Sequence, residues 1–238
     1  MIHNFLSSKI NFNNYSKKYI RSFVLRHRKL NNKQNEILNK YWIIMGLEYQ
    51  VNPIDIFTLF HRNTITILEI GFGIGSSLIE MAKKNPQKNF LGIEVYLPGI
   101  ISCLKNANIA KLKNLRLIYY DAIEVLQNMI LDNSLDTIQI FFPDPWPKLR
   151  HNKRRIIQYS FLKLIIQKLK INGIFHMATD CESYAKHTLK IINKIPNFYN
   201  MSNQNNYILN INIRPTTKFE LRGKNIGNNI FDLMFKKI

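Results

Sequence analysis

Cysteine is scarce in this 238-residue chain: Cys103 and Cys181 are the only two, far apart and in no C-x-x-C spacing. That excludes a disulfide framework, and both thiols are expected to be reduced packing residues. The six histidines are scattered, and none pairs with a cysteine at zinc-ligand spacing, so no metal is expected. Long apolar runs are missing too. Nothing approaches the ~18 apolar residues of a membrane span. The opening stretch 1–23 has neither an apolar h-region nor a small-residue cleavage site. These absences lead to the expectation of a cytoplasmic protein with no membrane partner.

Negative charge is also short. Fifteen acids face 34 lysines and arginines, a formal net charge of +19. Such a balance points to a polyanion, nucleic acid before an acidic membrane face. An AT-rich coding sequence inflates lysine, and lysine outnumbers arginine 24 to 10, so arginine is the better witness. Eight of the ten arginines fall in three segments: Arg21, Arg26 and Arg28; Arg150, Arg154 and Arg155; Arg214 and Arg222. Drift alone gives no reason for that clustering.

Residues 1–32 are polar, basic and aperiodic, and read as an arm ahead of a single domain over 33–238. Residues 33–45 have helical spacing, with Ile37, Leu38, Tyr41, Trp42 and Met45 on one side and Gly46 as the stop. Pro53 is expected to begin a short helix. From residue 64 strands and helices alternate. Strands are expected at 64–70, 89–95, 115–120, 135–142 and 173–179. Helices are expected at 76–84, 99–112, 122–130, 154–169 and 182–195. The tail from Tyr207 has two strand-like segments joined by a polar loop. This pattern implies an α/β, Rossmann-like, doubly wound sheet of about seven mostly parallel strands, with one antiparallel strand near the C-terminus.

In such sheets ligands bind outside the carboxyl ends of the strands. Here acids recur at that position: Glu69, Glu94, Asp121, Asp144 and then Asp180. One or two are expected to be helix N-caps. Five on one edge repel one another unless a ligand meets them. Gly71, Gly73 and Gly75 let backbone approach that ligand closely. A dinucleotide is disfavoured, because Glu69 occupies the turn where a pyrophosphate would sit and no P-loop follows. S-adenosylmethionine, with its sulfonium, ammonium and ribose, suits the acids better. Glu94 is positioned for the ribose hydroxyls, Asp121 for the adenine amino group and Glu69 for the cationic end.

The motifs LEIGFGIG (68–75), FLGIEV (90–95), FFPDPWPKLRHNKRR (141–155), FHMATD (175–180), TKFELRG (217–223) and DLMF (232–235) resemble the bacterial tRNA (guanine-N7-)-methyltransferase family. The likeness spans about residues 20–238. It implies methyl transfer from S-adenosylmethionine to N7 of a guanosine in the tRNA variable loop. Carried onto this chain, it implies cofactor contacts by Glu69, Gly71, Glu94, Asp121 and Asp144, with Asp144 also catalytic. It implies substrate contacts by Lys148, Asp180, Thr217, Lys218, Phe219 and Glu220. RNA contacts would come from Arg150, His151, Asn152, Lys153, Arg154 and Arg155. Monomer and homodimer both fit.

In P-D-P, Pro143 fixes its own φ and Pro145 steers Asp144 away from the helical region. Trp146 reads either as core packing or as a base stacker, and Phe219 as an aromatic in a polar loop that could stack on a base. Asp180 reads either as a cap for the helix at Glu182 or as a substrate contact. Lys153, Arg154 and Arg155 are expected to open a helix, where the dipole disfavours each exposed cation by roughly 0.3–1 kcal/mol. Phosphate contacts would offset that. A non-catalytic RNA-binding protein that kept the fold is the alternative.

Overall fold

The computed structural model describes residues 20–24, 29–202, 206–208 and 214–238. Most of the expected arm, and part of the expected strand after Tyr207, lie outside the described residues. Helix α1, Asn32–Met45, starts with a capping box in which Asn31 and Gln34 exchange side-chain-to-backbone hydrogen bonds. It buries Leu38, Trp42 and Met45, the expected side. The two-residue strand β1, Gly46–Leu47, follows. The next helix, α2 (Ile56–Phe60), begins later than Pro53 because Asp55 caps it, accepting from the backbone of Phe57 and Thr58.

Then come β2 (Thr66–Ile70), α3 (Ser76–Lys84), β3 (Asn89–Glu94), α4 (Leu97–Ile109), β4 (Leu115–Tyr119), α5 (Ala122–Asn128) and β5 (Leu135–Phe141). After a short 3-10 helix at Leu149–Arg154 the chain forms α6 (Tyr159–Lys168), β6 (Leu169–Thr179), α7 (Glu182–Ile192), β7 (Phe198–Asn200), α8 (Lys218–Asn225) and β8 (Phe231–Lys237). The eight strands make one sheet in the order β1-β4-β3-β2-β5-β6-β8-β7. All pairings up to β6 are parallel, whereas β8 runs antiparallel to both β6 and β7. Two short strands, β1 and β7, were not expected, whereas the segment expected as a strand after Tyr207 shows, among the described residues, an isolated bridge from Ile208 to Asp232.

Period-2 alternation divides the core between the two faces. Leu68, Ile70, Ile138, Ile140, Phe175 and Met177 pack with α5, α6 and α7. Phe90, Leu115 and Leu117 pack on the other face with α1, α3 and α4. The order β4-β3-β2 runs one way and β5-β6 the other. The crevice between β2 and β5, at their carboxyl ends, is therefore the switch point where ligands bind. No helix among the described residues is long and apolar enough to cross a membrane.

Candidate active site

The chain leaves β2 through Gly71, Gly73 and Gly75, all left-handed, with φ of +74°, +58° and +81°. Gly75 is the N-cap of α3. A Cβ there would lie 2.5 Å from Cys103 Sγ, so the glycine also lets α3 and α4 close together. Cys103 is buried and burial pushes its thiol up, which fits packing. At Gly71 a Cβ would meet nothing within 4 Å, so that side of the loop is open.

Glu94 ends β3 and holds this loop. Its Oε2 accepts from the Gly73 amide at 2.7 Å, and its Oε1 accepts from Val95 at 2.7 Å and Tyr96 at 2.9 Å. A carboxylate has about four acceptor sites, so one is left for a ligand hydroxyl. Burial raises Glu94 despite these three bonds, and the nearby charge of Asp144 raises it further.

Glu69 is not the turn residue the sequence suggested. It lies inside β2, 3% exposed, pointing away from its neighbours Leu68 and Ile70. Register sets it beside Gln139 of β5, whose Nε2 donates to Glu69 Oε2 at 2.8 Å. Burial pushes the Glu69 carboxyl up to about 7, with Glu94 adding to the rise and Arg214 opposing it. Two buried acids with raised pKa values would each be relieved by a nearby cation. With the open glycine loop, this donor set fits the sulfonium, ammonium and ribose of S-adenosylmethionine. Asp121 caps α5, accepting from Ile123 at 2.8 Å. Asp144 is exposed on the loop past β5. Among the described residues, no group of three histidines, cysteines or acids could hold a metal ion.

The segment around the P-D-P loop differs from expectation at its basic end. Lys153, Arg154 and Arg155 do not open a helix: Lys153 and Arg154 close the 3-10 turn, and α6 starts only at Tyr159. At a C-terminal end the dipole favours cations, so the expected helix penalty is absent. Arg155, in the stretch between the 3-10 turn and α6, is held by tertiary contacts. Its guanidinium is 3% exposed, donates to the carbonyls of Pro145 (2.9 Å) and Ser183 (3.3 Å) and to Ser183 Oγ (3.0 Å), and lies over the Tyr184 ring. The residue expected on RNA is thus a strut between the Asp144 loop and the start of α7. Lys148, Arg150 and Lys153 are exposed, and His151, Asn152 and Arg154 are half-buried. Partial desolvation and the cations Arg150, Lys148, Arg154 and Lys153 depress His151. Trp146 is half-buried rather than a core residue. Arg154 sits 4.0 Å over its ring, and its Nε1 donates to the Ser22 carbonyl at 3.0 Å, docking residues 20–24 on the loop.

The polar loop expected around Phe219 is helix α8. Thr217 caps it through the Glu220 amide. The T-x-x-E spacing was the available signal. Glu220 is buried, paired to Arg214 at 2.5 Å and Lys224 at 2.6 Å, while Lys218 and Phe219 are exposed. Asp180 does not cap α7, whose N-cap is Cys181. It accepts instead from Asn228 at 3.2 Å and lies against Gly223 of α8.

Arg214, one of the clustered arginines, and Asp232 and His176, which the sequence did not single out, tie these parts together. Arg214 donates to both oxygens of Asp232, at 2.7 and 2.8 Å, and lies over the rings of Phe141 and Phe142. Burial would raise Asp232, but Arg214 and His176 outweigh it and hold it low. His176 bonds Asp232 at 2.7 Å and sits in register beside Gln139, extending the polar row from Glu69 across the sheet.

Comparison with known proteins shows the family. A family model described as "Putative methyltransferase" covers residues 63–233. A tRNA (guanine-N(7)-)-methyltransferase of Serratia proteamaculans is 52% identical, covering 100% of this chain and 99% of its own. The chain belongs to the tRNA (guanine-N7-)-methyltransferase family. A second member, from Pectobacterium atrosepticum, is 49% identical over the full length of both chains. Among solved structures, a SAM-dependent methyltransferase of Aquifex aeolicus shares the fold, with a TM-score of 0.51 at 11% identity, covering 86% of this chain and 89% of its own.

Proposed function

We infer that the protein transfers a methyl group from S-adenosylmethionine to N7 of a guanosine in tRNA, that the guanosine lies in the variable loop, and that the reaction takes place in the cytoplasm. The observation that carries this reading is Asp144, held between two prolines at the switch point, with the buried acids Glu69 and Glu94 on one side and exposed cations on the other. When bound, S-adenosylmethionine supplies a methyl group on a positively charged sulfur. Glu69 and Glu94 set the negative potential that favours it, the remaining acceptor site of Glu94 takes a ribose hydroxyl, and Asp121 accepts from the adenine amino group.

Guanine N7 already carries an in-plane lone pair, so no general base is needed. The protein's tasks are position and electrostatics. Alkylation puts positive charge on the purine and acidifies its N1–H and amino group. A fixed Asp144 carboxylate at the base edge stabilises that change more in the transition state than before it. Lys148, Lys218 and Phe219 reach the substrate directly. Asp180, Thr217 and Glu220 act by holding α8 against the strand ends. Arg150, Lys153 and Arg154, with His151 and Asn152, follow the RNA backbone. A non-catalytic role leaves the retained acids without a purpose.

The test is Asp144→Asn. The variant is expected to fold, while its single-turnover methylation at saturating cofactor falls by about 100-fold or more. Near-wild-type turnover would overturn the assignment.

A further inference from the structure

Two aromatic residues bracket the P-D-P loop with left-handed backbones: Phe142 at φ +53° and Trp146 at +42°. Bulky residues seldom adopt this region, and such strain persists only where the surroundings impose it, often at ligand clamps. For Trp146 the structure supplies a reason, since its ring carries Arg154 and its Nε1 holds Ser22. Phe142 has no such bond through its side chain. Its amide donates to the Ala178 carbonyl at 2.8 Å, fixing the turn, and its ring lies beneath the Arg214 guanidinium, 5.6 Å away. Asp232 and Glu220 hold that guanidinium in turn.

The ring of Phe142 meets that of Phe219, with centroids 6.5 Å apart and planes inclined by only 21°. That distance is at the long end of the ~4.5–7 Å range for stacked aromatic pairs, so the two rings stack loosely, with Phe142 also packed against the core. Phe219 is 58% exposed, and its Cε2 is the nearest atom, at 4.0 Å, to a Cβ built on Gly73. Two nearly parallel rings therefore stand at the mouth of the glycine loop. One of them is two residues from Asp144.

We propose that Phe142, with Phe219, forms the aromatic wall on which the target guanine stacks, and that the left-handed turn at Phe142 exists to present its ring there. This rests on the reading of Phe219 as a substrate contact and adds a residue from the opposite side of the crevice. Stacking places the purine edge toward Asp144 and leaves N7 in the plane in which attack occurs. It discriminates a flat base by shape, while Asp144 reads its edge. The Arg214 cluster keeps the Phe142 ring in place whether or not a base is present.

The test uses tRNA carrying 2-aminopurine at the nucleotide that wild-type protein methylates, with S-adenosylhomocysteine present, because stacking on a ring quenches that base. Wild-type protein should quench it. Phe142→Asn removes the ring yet tolerates the left-handed backbone, so it should fold and bind S-adenosylmethionine within twofold of wild type. It should also lose the quench, and its kcat/KM for tRNA should fall roughly 5- to 150-fold, the equivalent of one base–aromatic stack. Phe142→Tyr should keep both, and a loss there would count against the proposal. An Asn variant that quenches and methylates like wild type overturns it. Phe219→Ala, run in parallel, separates the two readings: if it alone loses the quench, Phe142 is wrong and Phe219 stands, and if neither variant changes the signal, both fall.

Discussion

Glu69→Gln isolates the least comfortable group in the protein. A carboxyl moved from 4.5 to about 7 is worth roughly 3 kcal/mol, at about 1.4 kcal/mol per pH unit. The sign follows from burial. The folded chain keeps a proton that the unfolded chain releases, so the favourable contribution is full below 4.5 and is lost as the pH rises through about 7. Glutamine is isosteric and can still accept from Gln139, but it never ionises. In urea unfolding without ligand, the variant should therefore exceed wild type by less than about 1 kcal/mol at pH 5 and by about 3 kcal/mol at pH 8. Glu94, raised by the same burial, leaves the variant with a pH dependence of its own, so the difference between the two curves is the quantity to read. Saturating S-adenosylmethionine should reverse the ranking at pH 8, because a cation meets the carboxylate and gains less from the amide. Equal stability at pH 8 without ligand would refute the claim that Glu69 is a buried charge awaiting a cation.

Further expectations concern the loop and its neighbours. Arg155→Ala removes three hydrogen bonds made by a buried side chain and should destabilise the protein by about 2–4 kcal/mol in a thermal or urea melt, yet leave the salt dependence of tRNA binding unchanged. Arg150→Ala should do the opposite, with unchanged stability and a salt slope shallower by roughly one, read by binding titrations at several salt concentrations. Gly75→Ala combines a strained φ with a Cβ 2.5 Å from Cys103 Sγ, whereas Gly71→Ala meets only the strain. Denaturant midpoints should therefore rank Gly75→Ala as the more damaging, by about 1–3 kcal/mol.

Much of the frame was legible because each buried strand is a short, largely apolar run that ends at an acid or a turn. Helix α3 matched residue for residue over Ser76–Lys84. Placement was legible where chain position alone sets it, as at the left-handed Gly71, Glu94 at the end of β3 and Asp144 on the loop past β5. It failed where tertiary contacts override local pattern. Ile156 and Ile157 continue a helical period, but that stretch is not helical and Arg155 within it bonds Pro145 and Ser183. The polar composition of Lys218–Asn225 hid a helix that Thr217 caps. Glu69, Gln139 and His176 form one row only through strand register, and no single segment reveals register. Arg214 looked like one more cation until burial joined it to Asp232 and Glu220.

The central claim is tested most directly by incubating the protein with radiolabelled S-adenosylmethionine and unmodified tRNA, then mapping the methylated atom. The account predicts label at N7 of one variable-loop guanosine. Label at any other atom, or at a guanosine outside that loop, would contradict it.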